Sequence, residues 1–416
     1  MNDPISEFLR ARKGCLAAFC AINFCTGGLY VWSIFAAALA AKFSIESGEA
    51  VLPSDLSPVF GLATGITPFM MLAGGIVNDR LGPKRVIGLG GLLIALGYAF
   101  CALASSITSL YLFYGLLVGI GTGLVNGCTI STSVKYFPER RGFAGGLVTA
   151  SLGIGAAVLP FAARFLIDLA GIEGTLLVFA AFSGLVIVPL SLLTRKAPAG
   201  LEARLAPATG KNTPARRSLN WKEMVRSATF WPLALLFMTS ATLGLMVLSN
   251  ISGIASAQAG LSAAAIAAAV SAISLANTAG RFVSGTASDA IGRVPALCVA
   301  LLFALAGLFL LSGADADSSW RLFAGLCGIG VCFGAFIGIY PGLVTDEFGP
   351  EHNSANFAIL MMGYSVGGLA GPWLMKAAGS TGDFSRLYLL SAADCALGLV
   401  CAALYFFLKK RESKAN

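Results

Sequence analysis

Charged residues are scarce in this chain of 416. Asp, Glu, Lys and Arg make up 12% of it, about half the usual share in a soluble protein. With 57% hydrophobic residues and a mean hydropathy of +0.82, the chain cannot cover a water-exposed surface. Ordinary soluble domains and a disordered chain are both excluded. There is a single histidine, His352, and the ten cysteines are scattered with no Cys-x-x-Cys pair. No metal-ligand set of recognisable spacing exists, so no metal or other cofactor is expected, and the cysteines read as small buried hydrophobes. No Walker loop and no His-Glu-x-x-His helix occurs, which counts against a membrane enzyme built on either signature. What is abundant is glycine, 50 residues, together with 16 prolines, both more frequent in transmembrane helices than in soluble ones.

The net charge is +8. The basic residues cluster in short segments between apolar runs, the pattern of cytoplasmic loops and not of a nucleic-acid-binding face. A bilayer core of about 30 Å needs about 20 apolar residues as a helix. Twelve such runs can be drawn: 15–40, 56–77, 86–106, 109–134, 142–168, 172–194, 229–256, 262–287, 294–313, 319–345, 354–378 and 386–408. The first is too long for a signal-peptide core, and its Tyr30-Val31-Trp32 stretch does not resemble a cleavage site, so it reads as an uncleaved span. The N-terminus, the loops after even-numbered spans and the C-terminus carry 22 Lys and Arg, the opposite side five, and one, Arg281, lies inside a span. Both termini are therefore expected in the cytoplasm. The polar segment 195–228, broken by Pro198, Pro207 and Pro214, divides the chain into an N-terminal six-span bundle (1–194), a cytoplasmic linker (195–228) and a C-terminal six-span bundle (229–416).

The two halves repeat a loop. Gly75-Ile-Val-Asn-Asp79-Arg80-Leu-Gly82-Pro83-Lys84-Arg85 follows span 2, and Gly285-Thr-Ala-Ser-Asp289-Ala-Ile-Gly292-Arg293 follows span 8, with the aspartates 210 residues apart. The segments after spans 4 and 10, Phe137-Pro-Glu-Arg-Arg141-Gly and Phe348-Gly-Pro-Glu-His-Asn353, echo each other at nearly the same offset. Such a shared offset argues for a duplicated six-helix unit. Physically, Gly75 permits close helix approach, Gly82 turns the chain, and Asp79 suits a neighbouring helix N-terminus or a basic partner. The loop resembles the signature of the major facilitator superfamily. That resemblance implies an all-α integral membrane fold of twelve helices in two pseudo-symmetric bundles, with Gly75, Asp79, Arg80, Gly82, Arg85, Gly285, Asp289 and Arg293 forming a conformational gate. Gly28-Leu-Tyr30-Val-Trp32-Ser33, the Tyr136-Phe-Pro-Glu-Arg-Arg-Gly142 segment and Asn277-x-x-x-Arg281 narrow it further. Together they are similar to the oxalate/formate antiporter family and related bacterial monocarboxylate transporters.

Arg281 lies about 12 Å inside the border marked by Asp289. Ser271, Ser274, Asn277, Arg281, Ser284 and Ser288 recur at intervals of three and four, a polar stripe costly to face to lipid but not to a water-filled cavity. Spans 1, 4 and 7 carry weaker stripes, which include Tyr30 and Asn126, and spans 10 and 11 add Phe333 and Tyr364. An arginine binds a carboxylate through two parallel hydrogen bonds, and Asn277 offers another one turn away. The resemblance gives Arg281 the role of substrate-carboxylate anchor and lines the central cavity with spans 1, 4, 7 and 10. It also shows departures. Oxalate exchangers carry a lysine in span 11 where this chain has Tyr364, and animal monocarboxylate carriers carry an aspartate where it has Asn277. Both point to a small monocarboxylate such as lactate, pyruvate or formate over oxalate, exchanged or carried with a proton. A dicarboxylate exchanger and a drug or metabolite exporter are the alternatives, and a sensor on a transporter scaffold is a rival class. The expected product is a monomeric multi-pass protein of the bacterial inner membrane, in contact with lipid.

Overall fold

A computed structural model describes residues 4–198, 200–209, 218–248, 251–378 and 384–415. These are almost wholly helical, with no strand among them. Nine helices among the described residues are long and apolar enough to cross a membrane. They are α1 (Ile5–Glu46), α2 (Ser57–Leu81), α3 (Pro83–Ala102), α4 (Ile107–Tyr136), the 53-residue stretch Arg141–Leu193, α7 (Phe230–Leu248), α9 (Arg293–Ser312), α10 (Ser319–Phe348) and α12 (Ser385–Glu412). The 53-residue stretch is broken at Gly171, whose φ of 70° only glycine adopts readily, so it makes two crossings, α5 (141–170) and α6 (172–193). With α8 (Ala263–Ile291) and α11 (Asn353–Ala378), each long enough at 1.5 Å per residue, the count is twelve.

The breaks follow from composition. Gly82, between α2 and α3, has φ 84°, and Gly292, between α8 and α9, has φ 95°. These are the same repeat position, and each turns the chain after its aspartate-bearing helix. Within helices, prolines sit at 68, 160, 189 and 341, each without the N–H that would close a helical hydrogen bond. A 3₁₀ segment at Gly27–Val31 interrupts α1.

The chain folds into two compact units. The first comprises Met1–Glu139, Ser151–Arg216 and Pro350–Ala358; the second comprises Arg140–Ala150, Arg217–Gly349 and Ile359–Asn416. Each has an aromatic core. In the first, Phe35, Tyr98, Tyr114 and Phe179 pack edge to face, and the buried Tyr114 hydroxyl donates to the Leu29 carbonyl at 2.8 Å. In the second, Phe237, Phe336 and Tyr340 cluster, and the Tyr340 hydroxyl donates to the Leu233 carbonyl at 2.7 Å. Large apolar side chains also point outward: Phe161 is 78% exposed and Phe309 79%. In water such a surface would aggregate; in a bilayer it is the lipid-facing belt.

Candidate functional site

Glycine spacing in α10 sets the position of the polar face of α8. Gly330, Gly334 and Gly338 recur every four residues and form a groove along one side of α10. A Cβ on Gly330 would lie 2.7 Å from the Ile273 carbonyl, and Cβ atoms on Gly334 and Gly338 would collide with the carbonyls of Asn277 and Arg281. The ridge Ile273–Asn277–Arg281 therefore lies in the groove, backbone on backbone, as small residues allow between membrane helices. The first unit repeats the arrangement. Gly119, Gly123 and Gly127 of α4 receive Ala63, Thr67 and Met71 of α2. Adding 210 to those three numbers gives 273, 277 and 281, so Thr67 and Met71 stand where the second unit has Asn277 and Arg281.

The Arg281 guanidinium is fixed from two directions. Its Nε donates to Asn277 Oδ1 at 2.9 Å, and its Nη1 donates to the Thr149 backbone carbonyl, also at 2.9 Å. Asn277 is 6% exposed, and with its oxygen turned to Arg281 its Nδ2 has no acceptor. A buried amide N–H₂ without a partner, one helical turn from a guanidinium, is a donor set of the kind that takes an anion. Of the rest of the stripe, Ser288 is buried, donates to the Gly285 carbonyl at 2.6 Å and accepts from Arg293 at 2.7 Å, while Ser274 donates to the Val270 carbonyl at 2.8 Å.

The other candidates fall into separate groups. Phe333 is buried and stacks on Tyr364 with ring centroids 6.0 Å apart and planes 16° from parallel. A Cβ on Gly244 of α7 would press on the Phe333 ring. In the first unit Tyr30 is 45% exposed and meets Phe60 edge-on at 6.5 Å. The Asn126 Oδ1 lies 2.7 Å from the Thr26 hydroxyl, beside an Asn23–Thr129 hydrogen bond of 2.6 Å, so α1 and α4 share a polar seam.

The repeated aspartates each hold a helix start. Asp289 accepts from the backbone N–H groups of Gly142 and Phe143, both at 2.9 Å, and pairs with Arg293 at 2.7 Å. Asp79 accepts from Ser354 at 3.4 Å and Ala355 at 3.2 Å, and pairs with Lys135 at 2.6 Å. Carboxylates placed there complement the positive end of the helix dipole. Gly75 and Gly285 make the approach possible: a Cβ on Gly75 would lie 2.7 Å from the Ser354 carbonyl, and one on Gly285 would lie 2.5 Å from that of Gly142. Gly82 serves the turn already described. Arg80 and Arg85 are exposed, and Arg80 offers its carbonyl to Lys196 at 3.4 Å. Lys211, Arg216 and Arg217 of the linker lie outside the described residues.

Sequence reasoning missed Lys135, Asp346, Thr149 and the full role of Arg141. Asp346 bridges Arg141 and Arg293, the latter at 2.8 Å, so that two arginines and two aspartates form one network. The signal was present: Asp346 is Lys135 plus 211, the same repeat position with its charge reversed. Thr149 acts through a backbone carbonyl, which no sequence pattern shows. The sequence also contains a Gly-x-Ser-x-Gly motif, contrary to the expectation that such an enzyme signature is absent. Gly363-Tyr-Ser-Val-Gly367 has the spacing of a nucleophile elbow, but it lies within α11, without the strand-to-helix turn such an elbow needs.

Comparison with known proteins gives the family. The family model described as Major Facilitator Superfamily matches residues 14–285 and 240–416. The MFS-type transporter YhjX of Escherichia coli K12 is 29% identical over 364 residues, covering 88% of this chain and 87% of its own. The oxalate:formate antiporter of Oxalobacter formigenes is 25% identical over 369 residues, covering 88% of this chain and 84% of its own. Human monocarboxylate transporter 11 is 30% identical over 362 residues, covering 82% and 72%. Among solved structures, the E. coli fucose:proton symporter FucP (N162A) superposes with a TM-score of 0.67 at 16% identity, covering 94% of this chain and 98% of its own. The proton:xylose symporter XylE does so with 0.70 at 12% identity, covering 95% and 96%.

Proposed function

The chain belongs to the major facilitator superfamily, and from that membership we propose that it is a secondary active transporter of small monocarboxylates, of the size of lactate, pyruvate or formate. One observation carries the reading. Arg281, the one Lys or Arg well inside a span, is held by the Asn277 side chain, and that side chain keeps a buried donor without an acceptor. A carboxylate would accept from the Asn277 amide and place negative charge beside the guanidinium; a neutral sugar or a cationic drug brings no such charge. The similarity to proteins named as an oxalate:formate antiporter and a monocarboxylate transporter supports the same class.

Tyr364 argues for one carboxylate over two. Stacked on Phe333, it presents an aromatic face where oxalate exchangers carry a second cation. Tyr30 of α1 and Asn126 of α4 are proposed to contact the substrate. The Asp79 and Asp289 clasps are proposed to open and re-form in each alternating-access cycle, in a monomer with six spans in each of 1–194 and 229–416, the 195–228 linker and both termini in the cytoplasm. Coupling is by exchange of one carboxylate for another, or by symport with a proton.

The test is uptake of labelled lactate, pyruvate, formate and oxalate into proteoliposomes. Uptake of at least one monocarboxylate, lost in Arg281→Ala, supports the reading. Uptake that survives Arg281→Ala, or a wild-type preference for uncharged solutes, refutes it.

A further inference from the structure

Arg281 is fastened to more than its own helix. Its Nη1 bond to the Thr149 carbonyl reaches the first turns of α5, residues 141–150, which belong to the same compact unit as α8. Those turns also meet α8 elsewhere. Asp289 holds the N–H groups of Gly142 and Phe143. Phe143 packs edge-on against Phe282, with centroids 5.8 Å apart. Gly146 passes so close to Arg281 that a Cβ there would lie 2.5 Å from the Arg281 carbonyl. The first unit fastens the start of α11 to Asp79 and Gly75 in the same manner, but Met71 stands at the Arg281 position and has no donor to offer. The bond from the guanidinium to the helix start is thus an addition to the shared scaffold.

A helix-interior carbonyl accepts one bond from its own helix and gives a guanidinium a second, neutral one. A carboxylate offers charge and two oxygens in the geometry of the fork, and it wins that competition. We propose that the Thr149 carbonyl is an internal stand-in for the substrate: it occupies part of the Arg281 fork when no carboxylate is bound, and an arriving carboxylate displaces it and loosens the start of α5 from α8. The proposal rests on the reading of Arg281 as the carboxylate anchor. It makes Thr149 and Gly146 positioning residues that link the anchor to the Asp289 clasp. Because such coupling is reciprocal, anything that loosens residues 141–150 raises affinity for the carboxylate.

Amide hydrogen exchange on the full-length protein in lipid nanodiscs tests this, with sodium lactate, pyruvate or formate as probes and sodium chloride as the control. A monocarboxylate that the wild type transports should speed exchange at Gly142 and Phe143 severalfold, and Arg281→Lys should abolish that response. Phe143→Ala, which removes the Phe282 contact without crowding Arg281, should tighten apparent substrate affinity severalfold while lowering the maximal rate. Gly146→Ala should do the same if it folds. A merely structural role for these residues would weaken binding instead. Unchanged or slower exchange on binding of a transported carboxylate, or weaker binding in Phe143→Ala, overturns the stand-in and leaves the anchor reading intact. If no carboxylate binds the wild type at all, the anchor reading fails and the stand-in falls with it.

Discussion

The two aspartate clasps predict different costs for the same substitution. Asp79 is 5% exposed at its side chain and pairs with Lys135, itself 16% exposed, at 2.6 Å. Among the described residues Lys135 has no other carboxylate in reach. Asp79→Asn removes the charge and leaves that cation nearly buried. Breaking a buried pair from one side costs about 3–5 kcal/mol, and the partial exposure of Lys135 places this case near 3 kcal/mol. The backbone bonds from Ser354 and Ala355, at 3.4 and 3.2 Å, are long and add little. Asp289→Asn breaks shorter backbone bonds, of which an asparagine oxygen can keep one, but Arg293 retains Asp346 at 2.8 Å. One hydrogen bond to a charged group is worth about 1.5–3 kcal/mol, and the bond that the asparagine oxygen keeps places this case near the lower end. Chemical unfolding in detergent micelles should therefore rank Asp79→Asn below Asp289→Asn. Adding Lys135→Met to Asp79→Asn should recover about 2 kcal/mol, because an apolar side chain of similar length replaces the stranded cation. In proteoliposomes Asp79→Asn should lower the maximal rate more than the affinity, since it acts on the conformational equilibrium. Strictly additive substitutions, the reverse ranking, or a pure affinity loss would refute the reasoning.

Three further outcomes are expected. Gly334→Ala drives a Cβ into the Asn277 carbonyl, so it should cost about 1–3 kcal/mol of stability and weaken carboxylate uptake, whereas Gly65→Ala, which faces open space, should be neutral or stabilising in the same thermal-shift assay. Tyr364→Lys adds a second cation beside Phe333 and should raise the oxalate-to-formate uptake ratio, measured by competition; an unchanged ratio would separate Tyr364 from selectivity. Efflux of labelled substrate from preloaded vesicles should accelerate when unlabelled substrate is placed outside, the outcome expected of the proposed exchange of one carboxylate for another; equal rates with and without outside substrate would rule out obligatory exchange.

The crossings were legible because the solvent writes them into composition: apolar runs near 20 residues, bounded by loops rich in Lys and Arg. Gly82 and Gly292 were legible as turns because a repeated glycine after a repeated aspartate has few other uses. The 3₁₀ interruption of α1 at Gly27–Val31 falls on the Gly27-Gly28 pair, a break signal that an apolar-run reading passes over because the span continues on both sides. The grouping of residues 140–150 with the second unit and 350–358 with the first left no such mark, because which helix start an aspartate holds is decided by tertiary approach. The Arg141–Asp346–Arg293 network joins residues 53 and 205 positions apart, and local spacing cannot see it.

The repeat itself separates scaffold from chemistry. Gly119, Gly123 and Gly127 do for α2 what Gly330, Gly334 and Gly338 do for α8, so the groove is common property and implies nothing about substrate. At three places the two copies share a position but not a chemistry. Thr67 stands opposite Asn277, Met71 opposite Arg281, and Lys135 opposite Asp346. A duplicated unit must keep its packing in both copies or lose its fold, whereas a charge can differ between them. A charge buried in the membrane is costly enough that drift would remove it unless something used it. Divergence of charge against a conserved groove is thus the sharper pointer to function. Of the three places, only the one with Arg281 gains a charge where the first half has none, and the proposed function is built there.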